Sequence, residues 1–397
     1  MGTIVDALVH PIAAFRTRAA AASWRSLPFP DDDPIAHSPG PDADRILLLG
    51  GAIAVGYGVR THELALGGGL ARRVGDLTSR GVLVKIAAEP EYTLVDVPTL
   101  LDELRVSRFD ALVLAFGGAD TYTLPPRRWR VMLDGVLDHL ASLDIVGLQI
   151  FVVGMPKISS RGRPYATLAN RRATQFDLET RAACDSRPSV TFLPLSSGTP
   201  GTGPTDRGVY NIWAIELAPL IAEALDASAL SPVELDPPDE ALRQAAVDEL
   251  SQPTEAQARE LREMLIAAKN LFGVVGAAVN IIDGDRQRVY VSSGDSAPDL
   301  PRAGSLCNYT IQTNDVMVVP DARTESRYQD LAWAFAEHGL RFYAGFPLEA
   351  PGGERVGALC IVDAEPREFS DADTTLLREI ALRAQQVLWH PPSVNPS

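Results

Sequence analysis

The residues best placed to do chemistry gather at one turn. An all-apolar run, Ile46-Leu47-Leu48-Leu49, ends at Gly50-Gly51, and the chain continues as AIAVGYGV. A short apolar run bounded by glycines reads as a buried parallel strand. A sharp strand-to-helix turn at its end is where many hydrolases lift a nucleophilic serine above the sheet. Here the tip is Ala52, whose side chain has no lone pair to attack a carbonyl. Ser159, Ser160, Ser196 and Ser197 lie near other strand ends, yet no histidine falls between His139 and His338 to serve as their base. Serines at such places are common turn and cap residues. Asp120 reads as a helix N-cap or turn residue. Gly67-Gly68-Gly69 lacks the lysine of a phosphate-binding loop and reads as a loop that lets two elements approach closely.

The elements that must position these residues alternate in type. Strand-like runs fall at 46–49, 82–87, 111–116, 145–154 and 190–195. Helical patterns lie between or after them at Pro98–Leu104, Arg128–Leu143, Ala166–Cys184 and Tyr210–Leu225. The alternation predicts an α/β domain over 45–225, a parallel sheet with helices on both faces. Ligands bind such sheets beyond the carboxyl ends of the strands, here Gly50–Ala52, Gly117–Asp120 and Met155–Ser160.

Residues 1–44 read as a leader. Its early apolar residues fall at helical spacing, which suits a helix packed on the first domain better than a membrane-surface helix. Pro28 to Pro41 reads as an irregular connector. Residues 226–255 form an acidic, proline-rich linker in which 240–250 could be a short helix. From 256 a helix leads into strands at 276–282, 288–292, 317–319, 342–347 and 356–363. A helix over 370–388, capped by Ser370 with Asp373 three residues on, closes the pattern. Antiparallel strands bracketed by helices predict an α+β domain over 256–390 with an antiparallel sheet, followed by a tail, 391–397.

The 397 residues carry a net charge of −15. Residues 1–225 sum to −2, 226–258 to −7 and 259–397 to −6, so no part has the basic surface of a nucleic-acid binder. Pro11, Arg16 and Arg18 interrupt the apolar N-terminus where a signal peptide would continue. No continuous apolar run is long enough to span a bilayer, so no membrane insertion is expected. Three cysteines are too few for a disulfide framework and suit a cytoplasmic location.

Residues 45–225 resemble the SGNH (GDSL-type) hydrolases, esterases and lipases. The first family block, often GDS-I, stands here as Gly50-Gly51-Ala52-Ile53. The G-x-N-D block stands as Gly117-Gly118-Ala119-Asp120, and Tyr210, Trp213 and Ala214 match the final helix. The resemblance implies a flavodoxin-like three-layer sandwich. It also places Ala52 at the nucleophile, Ala119 at the oxyanion asparagine, Gly201 at the acid and Pro204 at the histidine. The carboxylate of Asp206 is off the family's spacing. With all four positions non-ionisable, the resemblance implies a scaffold without catalytic residues, a pseudoenzyme.

Residues 256–390 resemble a GAF domain through SLCNYTIQTNDVMVVPDARTESRY and LRFYAGFPLEAPGGERVGALCIVDAEPREFSDAD. That implies a six-stranded antiparallel sheet, a ligand pocket on one face, and a homodimer through the terminal helices. Cys307 could attach a bilin or sense redox state, or be a small buried residue, the commoner fate of a lone cysteine. Cys360, inside an apolar strand, reads as core. Alternation sends one of Phe342 and Tyr343 to the core and the other to the pocket or surface. Haem would need His338 as axial ligand, and a solvent-facing helix end explains that residue better. The ligand and any cofactor stay unnamed, and no metal ligands are assigned.

The expected function is sensing or regulation by a bacterial signalling protein, through a small molecule or partner and without hydrolysis. Two rivals are a GAF-regulated esterase with a non-standard site and a purely structural dimerising scaffold.

Overall fold

The computed structural model describes residues 27–116, 124–157, 166–195, 207–229, 239–294, 299–325 and 339–389. The predicted helix at the N-terminus and the tail lie outside them. The chain divides into two compact units, Met1–Pro39 with Ala43–Glu234, and Gly40–Asp42 with Leu235–Ser397.

The first unit runs β1 (Ile35–Ser38), β2 (Asp44–Gly50), α1 (Ala52–Val55), α2 (Leu66–Thr78), β3 (Val82–Ala88), α3 (Val97–Leu104), β4 (Ala111–Ala115), α4 (Pro126–Ser142), β5 (Gln149–Val153), α5 (Ala166–Cys184), β6 (Val190–Leu193) and α6 (Arg207–Ala229). The sheet order is β1-β3-β2-β4-β5-β6, with β1 antiparallel to β3 and every other pairing parallel. All seven residues of β2 are buried because helices cover both faces. Ile46 and Leu48 pack with α2 and α6, while Leu47 and Leu49 pack with α3, α4 and α5. Each such leucine contributes about 2 kcal/mol of burial. The strand order turns back on either side of β2, so the switch point, where doubly wound sheets bind ligands, lies between the carboxyl ends of β2 and β4.

Three local outcomes differ from the sequence reading. The run 145–154 yields a strand only over Gln149–Val153, because Asp144 (φ 49°) and Gly147 (φ 83°) hold the preceding chain out of the extended region. The connector expected between Pro28 and Pro41 contributes the edge strand β1. Gly67, Gly68 and Gly69 open helix α2 rather than a loop. Close approach is nevertheless what they serve, since a Cβ on Gly69 would meet the Ala214 Cβ at 2.8 Å. Helix α6 is apolar and long enough over Gly208–Ser228 to pass for a membrane span, and half of that window is buried. Its Trp213, Leu217, Ala218 and Ile221 belong to the first core, the behaviour of a core helix.

The second unit runs α7 (Glu240–Glu249), α8 (Glu255–Phe272), β7 (Gly276–Asp283), β8 (Arg286–Ser292), β9 (Leu300–Pro301), α9 (Leu306–Thr310), β10 (Met317–Val319), β11 (Phe342–Glu349), β12 (Arg355–Asp363) and α10 (Asp371–Trp389). Its sheet is antiparallel throughout, in the order β10-β11-β12-β7-β8-β9. Helices α8 and α10 cover one face through Leu261, Leu265, Leu377 and Ala381. Both start at capped ends. Thr254 and Gln257 make a capping box, and the Asp373 carboxylate accepts from the Ser370 N–H at 3.0 Å while the Asp373 N–H donates to Ser370 Oγ at 3.2 Å.

Helix α7 lies in the segment read as linker, and it packs on this sheet through Ala246 and Val247 against Ile281 and Val356. A fully buried arginine anchors it. Arg243 donates to the Ile282 carbonyl and, at 2.9 and 2.7 Å, to the Glu240 carboxylate. Glu240 also accepts from Arg302, and Gln244 Oε1 accepts from the Gly284 N–H at 2.8 Å.

Candidate functional site

At the switch point of the first sheet the backbone is close-packed. A Cβ on Gly50 would meet the Ala115 carbonyl oxygen at 2.3 Å, which only glycine tolerates. Gly51 donates to that same carbonyl at 3.2 Å, and Glu89 donates to the Gly50 carbonyl at 3.3 Å. The turn therefore has the expected shape and leads into the short helix α1, which begins at Ala52. The other three positions that the SGNH resemblance singles out, Ala119, Gly201 and Pro204, lie outside the described residues, as do Asp120, Asp206, Ser159, Ser160, Ser196 and Ser197.

The described polar groups at this edge secure structure. Asp177 on α5 accepts from the Met155 N–H at 2.8 Å and lies 3.4 Å from Lys157 Nζ, fixing the chain just past β5. Burial, opposed by those partners, pushes its carboxyl above the usual range.

One ionisable pair escaped the sequence reading. His62 is buried, and its Nδ1 lies 2.7 Å from Asp32 Oδ1. The Asp32 carboxylate also accepts from the His62 N–H at 3.0 Å. A carboxylate that fixes an imidazole is half of a nucleophile's base. Among the described residues no hydroxyl or thiol hydrogen-bonds that imidazole. The two residues are thirty apart, without a motif to join them.

The second unit builds a denser site, on the sheet face away from α8 and α10. Phe342 and Tyr343 divide as alternation requires. Phe342 joins the core under the helices, and Tyr343 joins Cys307, Met317, Val319 and Cys360 on the opposite face. Gly345 makes room for the phenol, since a Cβ there would come within 2.3 Å of the Tyr343 hydroxyl. Cys307 arrives on α9, and Asn280 on β7 reaches between the two thiols. The Asn280 Nδ2 donates to Cys307 Sγ at 3.4 Å and to Cys360 Sγ at 3.3 Å. The Tyr343 hydroxyl donates to Cys307 Sγ at 3.5 Å and shares a 2.6 Å hydrogen bond with Thr310 Oγ1.

Asn280, Cys307, Tyr343 and Cys360 are 4, 2, 2 and 5% exposed. Cys307 is thus the buried helical cysteine of one reading, and it is also the centre of a polar cluster. The neighbouring Cys360 thiol first, then donation from Tyr343 and Asn280, outweighs burial and lowers the Cys307 thiol below its ordinary value. The neighbouring Cys307 and burial raise Cys360, and burial foremost raises Tyr343. The Asn280 Oδ1 is buried without a hydrogen-bond partner. A buried unpaired amide oxygen costs about 1–3 kcal/mol. Sequence reasoning singled out Cys307 and Tyr343 but missed Asn280, whose partners lie 27 and 80 residues away. Residue 338 lies outside the described residues.

Comparisons with known proteins bear on this second unit. The GAF domain family model matches residues 258–388. The cyclic di-GMP phosphodiesterase PA2567 of Pseudomonas aeruginosa is 36% identical over 146 residues, 36% of this chain and 25% of that protein. The chain thus spans a quarter of the curated relative's length. Among solved structures, the GAF domain of an Acinetobacter phosphoenolpyruvate-protein phosphotransferase matches 38% of this chain and 91% of its own at 15% identity, with a TM-score of 0.28. A carbohydrate esterase family 2 enzyme of Corynascus thermopiles matches 48% of this chain and 68% of its own at 16% identity, with a TM-score of 0.38. Neither score carries a fold assignment. Residues 258–388 of this chain are a GAF domain.

Proposed function

We propose that this is a bacterial, cytoplasmic sensory or regulatory protein that acts by binding and not by hydrolysis. Its GAF domain holds a small molecule on the sheet face that carries Asn280, Cys307 and Tyr343. The observation that carries this reading is the buried Asn280 Oδ1 with no partner, set in a polar cluster inside an otherwise apolar layer. The fitting ligand presents an N–H or O–H donor to that oxygen. Similarity to a cyclic di-GMP phosphodiesterase over this region supports a place in signalling.

The first unit is read as an SGNH-hydrolase-like, flavodoxin-type scaffold emptied of its catalytic residues. The strand order, the Gly50-Gly51 turn and the buried Tyr210 and Trp213 on α6 support that reading. The proposed homodimer forms through α8 and α10, where Ile266, Leu271 and Leu376 leave apolar surface exposed. Light scattering of the full chain should give twice the monomer mass.

The esterase reading draws on one observation, the Asp32–His62 pair. The sensor reading is tested by native mass spectrometry of freshly purified protein. A retained small-molecule mass that is lost in Asn280→Leu supports it. A mass retained equally by both proteins places any ligand elsewhere and overturns it.

A further inference from the structure

The cluster in the GAF domain has a property that ligand binding does not use. Two thiols from distant parts of the chain share the amide of one asparagine, at 3.4 and 3.3 Å from Nδ2. Both are free thiols.

The donors are distributed unequally. Cys307 receives both the Asn280 amide and the Tyr343 hydroxyl, at 3.4 and 3.5 Å, whereas Cys360 receives the Asn280 amide at 3.3 Å. N–H and O–H donors stabilise a thiolate, and the thiolate is the reactive form. The arrangement therefore has an attacking sulfur and a neighbouring thiol able to resolve what forms on it. Cys184, in the other unit, provides a contrast. It is buried among Phe176, Val190 and their neighbours, and burial pushes its thiol up to about 11.

We propose that Cys307 and Cys360 are a reversible redox site, which a hydroperoxide closes to an intrachain disulfide. The Cys307 thiolate attacks the terminal peroxide oxygen, and the O–O bond breaks. The leaving alkoxide takes a proton and departs as an alcohol, or as water when the oxidant is hydrogen peroxide. Cys307 is then a sulfenic acid, oxidised by two electrons. Cys360 gives up its proton, and its sulfur attacks the Cys307 sulfur. The S–O bond breaks, and hydroxide leaves with that proton as water. The net change converts two thiols and one hydroperoxide into one disulfide, one alcohol and one water. A small thiol reverses it by exchange. Closure converts both thiol acceptors of the Asn280 amide into disulfide sulfurs, so it resets the cluster that would meet a ligand. The proposal stands whether or not a ligand binds, because its readout is the thiols themselves.

The test treats the native full-length chain with hydrogen peroxide, quenches with acid, and alkylates in denaturant before mass spectrometry. The expected product loses the mass of two hydrogens, alkylates only at Cys184, and yields a crosslinked peptide joining Cys307 to Cys360. Dithiothreitol restores three alkylated cysteines. In Cys360→Ser, a 1,3-diketone should trap sulfenic acid on Cys307, and in Cys307→Ser, Cys360 should stay a thiol. If either variant fails to fold, the wild-type peptide map decides alone. Three alkylatable thiols after treatment, first oxidation at Cys184, or sulfinic acid on Cys307 without the crosslinked peptide would each overturn the proposal.

Discussion

The two units use buried polar groups in opposite ways. At the carboxyl edge of the first sheet, described polar atoms are committed to structure: Asp177 to the Met155 backbone, Gly51 to the Ala115 carbonyl. On one face of the second sheet, three strands and a short helix bring together an asparagine, two thiols and two hydroxyls, and leave one amide oxygen unsatisfied. Apolar side chains of similar size would fill that face at less cost. The described edge of the first unit is accounted for by packing and backbone pairing, whereas the cluster in the GAF domain is not, and the proposed binding function rests on that contrast.

Several substitutions should break or sharpen that contrast. The largest effect belongs to Arg243→Ala, which leaves the Ile282 carbonyl unpaired and Glu240 short of a partner. An unpaired buried carbonyl costs about 1–3 kcal/mol, and the packing of the fully buried Arg243 side chain is lost with it. Hydrogen exchange should lose protection over α7 and the β7–β8 turn. Gly50→Ala comes next, because backbone must move where a Cβ meets the Ala115 carbonyl at 2.3 Å. Overpacking of this kind costs about 1–3 kcal/mol, visible as faster exchange in β2 and β4.

Asn280→Leu should behave differently from both. It removes an unsatisfied acceptor along with two weak donations to sulfur, so denaturant unfolding should shift by no more than about 1 kcal/mol while binding is lost. A loss as large as that for Arg243→Ala would make the cluster structural and erase the contrast.

A smaller effect follows pH. Hydrogen bonds from Arg243 and then Arg302 lower the Glu240 carboxyl to about 2, below its ordinary 4.5. Its folded value lies below its unfolded one, so its contribution is complete above about 4.5 and is lost as pH falls toward 2. Protection of α7 amides should therefore weaken as pH falls from about 5 to about 2, the span between the unfolded and folded values.

Much of the fold was legible because its signals are local. The apolar run of β2, the strand–helix alternation and the Ser370–Asp373 cap each lie within a few residues. Helix α2 was hidden because three glycines argue against a helix, and the close approaches they allow, Gly67 to Ile86, Gly68 to the Glu63 backbone and Gly69 to Ala214, appear only on folding. Edge strand β1 is four residues long, too short for a period to show. Helix α7 was visible as a helix, but Arg243, the residue that docks it, reads in sequence as an ordinary surface charge. In the site, Cys307 and Tyr343 drew attention through their types. Asn280 did not, because its meaning comes from sulfur atoms brought to it by folding.

The proposal that the carboxyl edge of the first sheet is without hydrolytic activity is tested most directly by ester hydrolysis. The wild-type chain and Ala52→Ser would be assayed side by side on a panel of p-nitrophenyl esters. A serine hydroxyl placed at the turn still needs a base within hydrogen-bond reach, and Pro204 stands where the SGNH resemblance would put the histidine. The account predicts that neither protein exceeds a heat-treated control. Robust turnover by Ala52→Ser, or wild-type turnover abolished by a change at the carboxyl edge of the first sheet, would reveal a working base there, with the Asp32–His62 pair its first candidate, and would contradict the account.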